Sequence, residues 1–88
     1  MQYKEQIAHN KLREVRQTLG LRQQDVAELL GFDITDRISH WERGTAIPSI
    51  VNLFRLSNIY KILPHELYAD LFIQTGNELQ NKNLKSTS

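Results

Sequence analysis

Residues 23–41, QQDVAELLGFDITDRISHW, narrow the possible folds more than any other part of the chain. Val26, Leu29 and Leu30 recur at the spacing that lines up side chains on one face of an α-helix. Gly31 ends that helix, since glycine takes a left-handed backbone conformation without a Cβ penalty. Asp33 offers an oxygen to cap a following helix, whose apolar stripe reads Ile34, Ile38, Trp41. The other side of this second helix is polar: Asp36, Arg37, Ser39, His40 and Arg43. A helix with one bulky apolar stripe and varied hydrogen-bonding groups opposite suits insertion into a DNA major groove.

The flanking sequence continues in the same all-α style. Asn10 is a plausible N-cap for a helix with the stripe Leu12, Val15, Leu19, stopped by Gly20. After Gly44 and a loop, Ser49 caps a helix that turns Ile50, Leu53, Leu56 and Tyr60 to the core. Pro64 opens a last helix, a position where its missing N–H costs nothing, with Leu67, Tyr68 and Leu71 inward. From Gly76 onward NELQNKNLKSTS is polar and reads as a disordered tail.

These segments together, LREVRQTLGLRQQDVAELLG, ISHWERG, IPSIVNLFRL and LPHELY, resemble the helix-turn-helix domains of the phage repressor and Cro family. The resemblance runs from about Lys11 to Tyr68 and is most specific in ISHWERG and IPSIVNL. It implies a compact five-helix, lambda-repressor-like domain that binds double-stranded DNA, usually as a dimer. The chain then divides into an N-terminal extension (1–9), a DNA-binding domain (10–75) and the polar tail (76–88).

The sequence departs from the family pattern in three places. Arg22 stands where Ser or Thr commonly caps the second helix, a loss of about 1 kcal/mol that Asp25 partly offsets at the helix's positive end. From Gly31 to Ile38 there are seven steps where the family usually has six, so the turn is one residue longer. Lys61 replaces a usual glycine, which predicts a strained or reshaped connection.

The family also implies roles for particular residues. A glutamine matching Gln23 bonds a DNA phosphate and props a recognition-helix side chain, and helix N-termini favour phosphates. The plainer reading of Gln23 and Gln24 is two helix formers on a solvated face. Arg37 is the strongest candidate for reading a base, because its guanidinium can bond guanine O6 and N7 in parallel. It could instead pair with Asp33 or Asp36. Thr35, Asp36, His40 and Arg43 lie near the same groove, with Arg22 at its border. Asp36 either selects for a cytosine N4 or only assists the helix N-terminus. Arg16 and Glu42 match a family pair that ties the first helix to the third.

Other chemistry finds no support. His9, His40 and His65 have no metal-ligand spacing, no nucleophile with an attendant base is evident, and no Gly-rich phosphate loop occurs. With no cysteine, disulfides and thiolate metal sites are out of reach. An enzyme, a metal and a cofactor are therefore not expected. No apolar run of signal-peptide or transmembrane type appears, so a cytoplasmic location is the expectation. The net charge of +1 and pI of about 8.1 are low for a nucleic-acid binder, which places more weight on base contacts.

Ile62, Leu63, Tyr68, Phe72 and Ile73 exceed what one short helix buries, and we read the surplus as a homodimer interface. The reading is thus a transcriptional regulator, a repressor by occlusion, acting on an inverted-repeat operator. The alternatives are an antitoxin-type regulator that also holds a toxin through its C-terminal part, and an adaptor that keeps the fold without binding DNA. The varied polar face of the third helix weighs against the adaptor, since an interaction surface carries more apolar anchors.

Overall fold

The computed structural model of the chain describes residues 8–82. Among them six helices and no strands are found: α1 (Leu12–Thr18), α2 (Gln23–Leu30), α3 (Asp36–Arg43), α4 (Ile50–Tyr60), α5 (Pro64–Leu67) and α6 (Ala69–Asn81). The expected fifth helix is two helices. The backbone breaks at Tyr68 (φ −122°, ψ 49°), and Tyr68 carbonyl oxygen then accepts the Phe72 N–H as α6 begins. That helix runs past Gly76 to Asn81, where the sequence reading placed a disordered tail. Leu79 falls two turns after Phe72, and Gln74 donates to Glu78 one turn on, so the polar segment retains helical spacing. The last residues, 83–88, and residues 1–7 of the expected extension lie outside the described residues.

Leu12, Val26, Ala27, Ile38, Trp41, Leu56, Tyr60, Leu67 and Tyr68 form the core, joined by Ala8. Ala8 and His9 therefore start the domain rather than precede it: Ala8 is buried, and its N–H donates to the Gly44 carbonyl. Asn10 holds this edge with three bonds. Its Oδ1 accepts the Leu12 N–H, and its amide donates to the carbonyls of Ala8 and Trp41. Its capping role is one residue removed from the formal helix boundary.

Several stripe residues are exposed instead of buried: Leu19, Leu29, Ile34 and Ile50. On α2 the buried arc is Val26, Ala27 and Leu30, and Leu29 lies at its rim. On α4 it is Asn52, Leu56 and Tyr60, three residues four apart, which leaves Ile50 to the side. Leu19 is the residue at which α1 ends. Ile34 sits in the turn, because α3 starts only at Asp36. Asp33 accordingly caps nothing. Thr35 occupies the N-cap position of α3 without a side-chain bond.

The N-cap of α4 is Ser49, whose hydroxyl accepts the Asn52 N–H at 3.1 Å. At α2 the absent Ser or Thr is offset from the other direction. Asp25 Oδ2 accepts the Arg22 backbone N–H at 2.8 Å, half of a capping box. Lys61 takes the left-handed conformation that glycine favours (φ 61°, ψ 36°), held by a bond from the Ile62 N–H to the Ser57 carbonyl and one from the Ser57 hydroxyl to the Ile62 carbonyl.

Candidate nucleic-acid interface

Helix α3 is seated by Ile38 and Trp41, both buried, and this fixes which residues face outward. Asp36, Arg37, His40 and Arg43 are exposed, and Ser39 is half-buried. The helix is eight residues long, roughly 12 Å at 1.5 Å per residue.

A buried polar network joins it to α1 and α2. Arg16 of α1 forms a two-pronged ion pair with Glu42 of α3, Nε to Oε2 at 2.6 Å and Nη2 to Oε1 at 3.1 Å. The side chains are only 10% and 3% exposed. Arg16 also donates from Nη1 to the Leu21 carbonyl at 2.9 Å, and Gln23 of α2 donates its amide to Glu42 Oε1 at 3.0 Å. Four bonds thus converge from α1, the α1–α2 turn, α2 and α3. Bonding to Glu42 raises the Arg16 pKa above its ordinary value, so the guanidinium stays charged despite its burial.

At the N-terminal end of α3, Arg37 pairs with neither Asp33 nor Asp36. Its guanidinium carbon lies 4.6 Å from the Phe32 ring centroid, and no carboxylate lies within ion-pair distance of it among the described residues. Phe32 in turn packs edge-on against Trp41, with centroids 5.9 Å apart and planes at 65°. Thr35 is half-buried and Asp36 exposed beside them. Phe32, Asp33, Ile34, Asp36 and Arg37 line an open hollow of about 480 Å³.

At the other end, Arg43 Nη1 donates to the Ser39 hydroxyl and Nη2 to His40 Nδ1 at 3.2 Å. His40 Nδ1 also lies 3.0 Å from the Thr45 hydroxyl. Guanidinium can only donate, so the Arg43 contact requires Nδ1 as acceptor, the tautomer of a neutral His40 that carries its ring proton on Nε2.

Arg13, Arg16, Gln23, Ser39, Glu42 and Arg43 surround a polar notch of about 420 Å³ where α1, α2 and α3 meet. Arg13 and Ser39 were not among the expected site residues. Arg13 is exposed and without a carboxylate partner among the described residues. It follows Leu12 on α1, outside the helix pair, where a lone arginine carries no signal in the sequence. At the start of α2 Gln24 is exposed, while Arg22 is bound to Asp25 (Nη2 to Oδ1, 2.9 Å). The Arg22 guanidinium holds the Asp25 carboxyl below its usual range.

The apolar surplus at the C-terminal side divides. Leu63, Phe72 and Ile73 are exposed, and Ile62 is half-buried. Tyr68, grouped with them in sequence, is only 5% exposed and belongs to the core. Beside Phe72, residues including Ile47, Leu53, Pro64 and Leu71 line a shallow apolar groove of about 350 Å³. No helix among the described residues is long and apolar enough to cross a membrane.

The helix-turn-helix family matches residues 12–67, α1 through α5. Among solved structures, the restriction-modification controller protein C.AhdI from Aeromonas hydrophila is similar. It is 38% identical with a TM-score of 0.58, over 66% of this chain and 86% of that one. No curated protein matches the sequence.

Proposed function

The chain belongs to the helix-turn-helix family of the phage repressor and Cro type, and from that premise we propose that it regulates transcription by reading double-stranded DNA with α3. The observation that carries this is the pinned, polar outer face of α3. An α-helix, about 10–12 Å across with its side chains, fits a major groove about 12 Å wide, and the Arg16–Glu42–Gln23 network fixes its angle before DNA arrives. The controller role of the similar Aeromonas protein favours the same class of activity. A cytoplasmic location goes with this reading.

The roles follow from donor and acceptor chemistry. Arg37 offers two parallel donors to guanine O6 and N7, and Asp36 accepts from a cytosine N4. His40 donates from Nε2 to guanine O6 or N7 or thymine O4. Arg22, Gln23 and Gln24 at the start of α2, with Arg13 and Arg43 beside the notch, face the sugar-phosphate backbone, and Thr35 sits at the edge of the groove. Arg37→Ala should relax preference at one base pair and cost about 1–3 kcal/mol on the best site. Gln23→Ala should weaken binding to all sequences about equally. Exchange of the two phenotypes overturns this assignment.

We read the active form as a homodimer on an inverted repeat, with repression through occlusion of the promoter. Leu63, Phe72 and Ile73 supply an exposed apolar surface that a two-fold axis can use twice. Two copies of α3 would then lie one helical turn apart, about 34 Å. Phe72→Glu should leave the fold intact and abolish cooperative binding. Sedimentation of the unaltered protein as a monomer at high concentration, together with a non-palindromic preferred site, contradicts the dimer alone.

A further inference from the structure

Phe32 lies in the turn that follows α2, and Arg37 lies in the first turn of α3. Phe32 is fixed from two directions. Its N–H donates to the Ala27 carbonyl at 2.8 Å, which ties its backbone to the end of α2. Its ring rests edge-on against buried Trp41 of α3. The ring's other partner is the Arg37 guanidinium, 4.6 Å from its centroid. The ring is thus a platform anchored on both helices of the pair, and the cation laid on it is the proposed base reader.

A free arginine on a helix surface samples many rotamers, and ordering it on DNA subtracts from the affinity gained. A planar guanidinium stacked on an aromatic face loses part of that freedom beforehand, while its N–H edge remains open for two parallel bonds. Asp33 and Asp36 are both near in sequence, yet neither competes for that edge through an ion pair. We propose that Phe32 is a positioning residue for base readout, which acts by holding the Arg37 guanidinium ready for a guanine. This rests on the reading of α3 as the recognition helix.

The experiment compares binding to the preferred duplex and to duplexes with each base pair changed in turn, for the full chain and its Arg37→Ala, Phe32→Leu and Phe32→Tyr variants. Arg37→Ala identifies the base pair that Arg37 reads. Phe32→Leu, which keeps apolar bulk against Trp41 but removes the π face, should lose about 2–5-fold discrimination at that pair alone. Phe32→Tyr should retain it. The proposal is overturned if Phe32→Leu leaves discrimination at that pair unchanged, if its losses spread evenly over all pairs, or if Phe32→Tyr loses as much.

A measurement on the unaltered free protein stands apart from any variant's folding. Ring current from Phe32 should move the Arg37 side-chain proton resonances upfield, and their appearance at solvent-exposed positions overturns the stack. Failure of the unaltered protein to prefer any duplex would overturn the recognition-helix reading itself, an outcome distinct from a selective protein whose Phe32 variants behave alike.

Discussion

Charge removal at the Arg16–Glu42 pair should expose how much of the α1–α3 geometry depends on it. Glu42→Gln keeps the shape and an acceptor for Gln23 but leaves the Arg16 guanidinium, in a side chain 10% exposed, facing a neutral group. Arg16→Met leaves the Glu42 carboxylate with only the Gln23 amide. Breaking a buried pair from one side typically costs about 3–5 kcal/mol. An 88-residue chain has roughly 4–13 kcal/mol of total stability at the usual per-residue value, so each single variant should lose about a quarter of it or more. The double variant buries no charge, and removing both charges should cost less than the sum of the singles by roughly 2–3 kcal/mol. Urea denaturation of the four proteins by far-UV circular dichroism gives each free energy and completes the cycle. Additivity to within about 0.5 kcal/mol would refute the pair as a tie between the helices.

Two further outcomes concern stability alone. Lys61 holds a left-handed conformation that costs a side-chain-bearing residue about 1–2 kcal/mol, offset in Lys61→Gly by roughly 0.5–1 kcal/mol of extra chain entropy. Lys61→Gly should therefore stabilise by up to about 1.5 kcal/mol, and a lower melting temperature contradicts the strain. Burial pushes the Tyr60 and Tyr68 hydroxyls up from 10.0 to about 12. Because the folded values are raised, this contribution is complete below pH 10 and is lost as the pH climbs toward 12. Phenolate absorbance and helical signal followed together should show these tyrosines ionising late, as the fold gives way; early ionisation with the helices intact contradicts their burial.

The all-α class, the order of the elements, the caps at Gly31 and Ser49 and the helix start at Pro64 were legible because each rests on local chemistry. Misplaced residues share one cause. Periodicity ranks positions by side-chain apolarity, whereas burial depends on which arc of a helix its neighbours cover. Leu29 and Ile50 therefore appear in the stripes, and Ala27 and Asn52, which fill the buried arcs, do not. The break at Tyr68 was invisible for a related reason, since Leu67 and Tyr68 continue a helical pattern while the backbone between α5 and α6 changes direction. At the candidate site, Arg16 with Glu42 came from the family resemblance; an arginine this buried has no signature in composition or spacing. Phe32 lies outside any helical stripe, and its contacts with Trp41 and Arg37 exist only once the turn has its three-dimensional path.

That α3 reads duplex DNA is tested by selection from a random duplex pool. The unaltered chain should enrich an inverted repeat whose half-sites are about one helical turn apart, and a variant with Arg37 and His40 both changed to alanine should lose that enrichment. Equal recovery of all sequences by the unaltered protein, or an unchanged preference in the α3 variant, would contradict it.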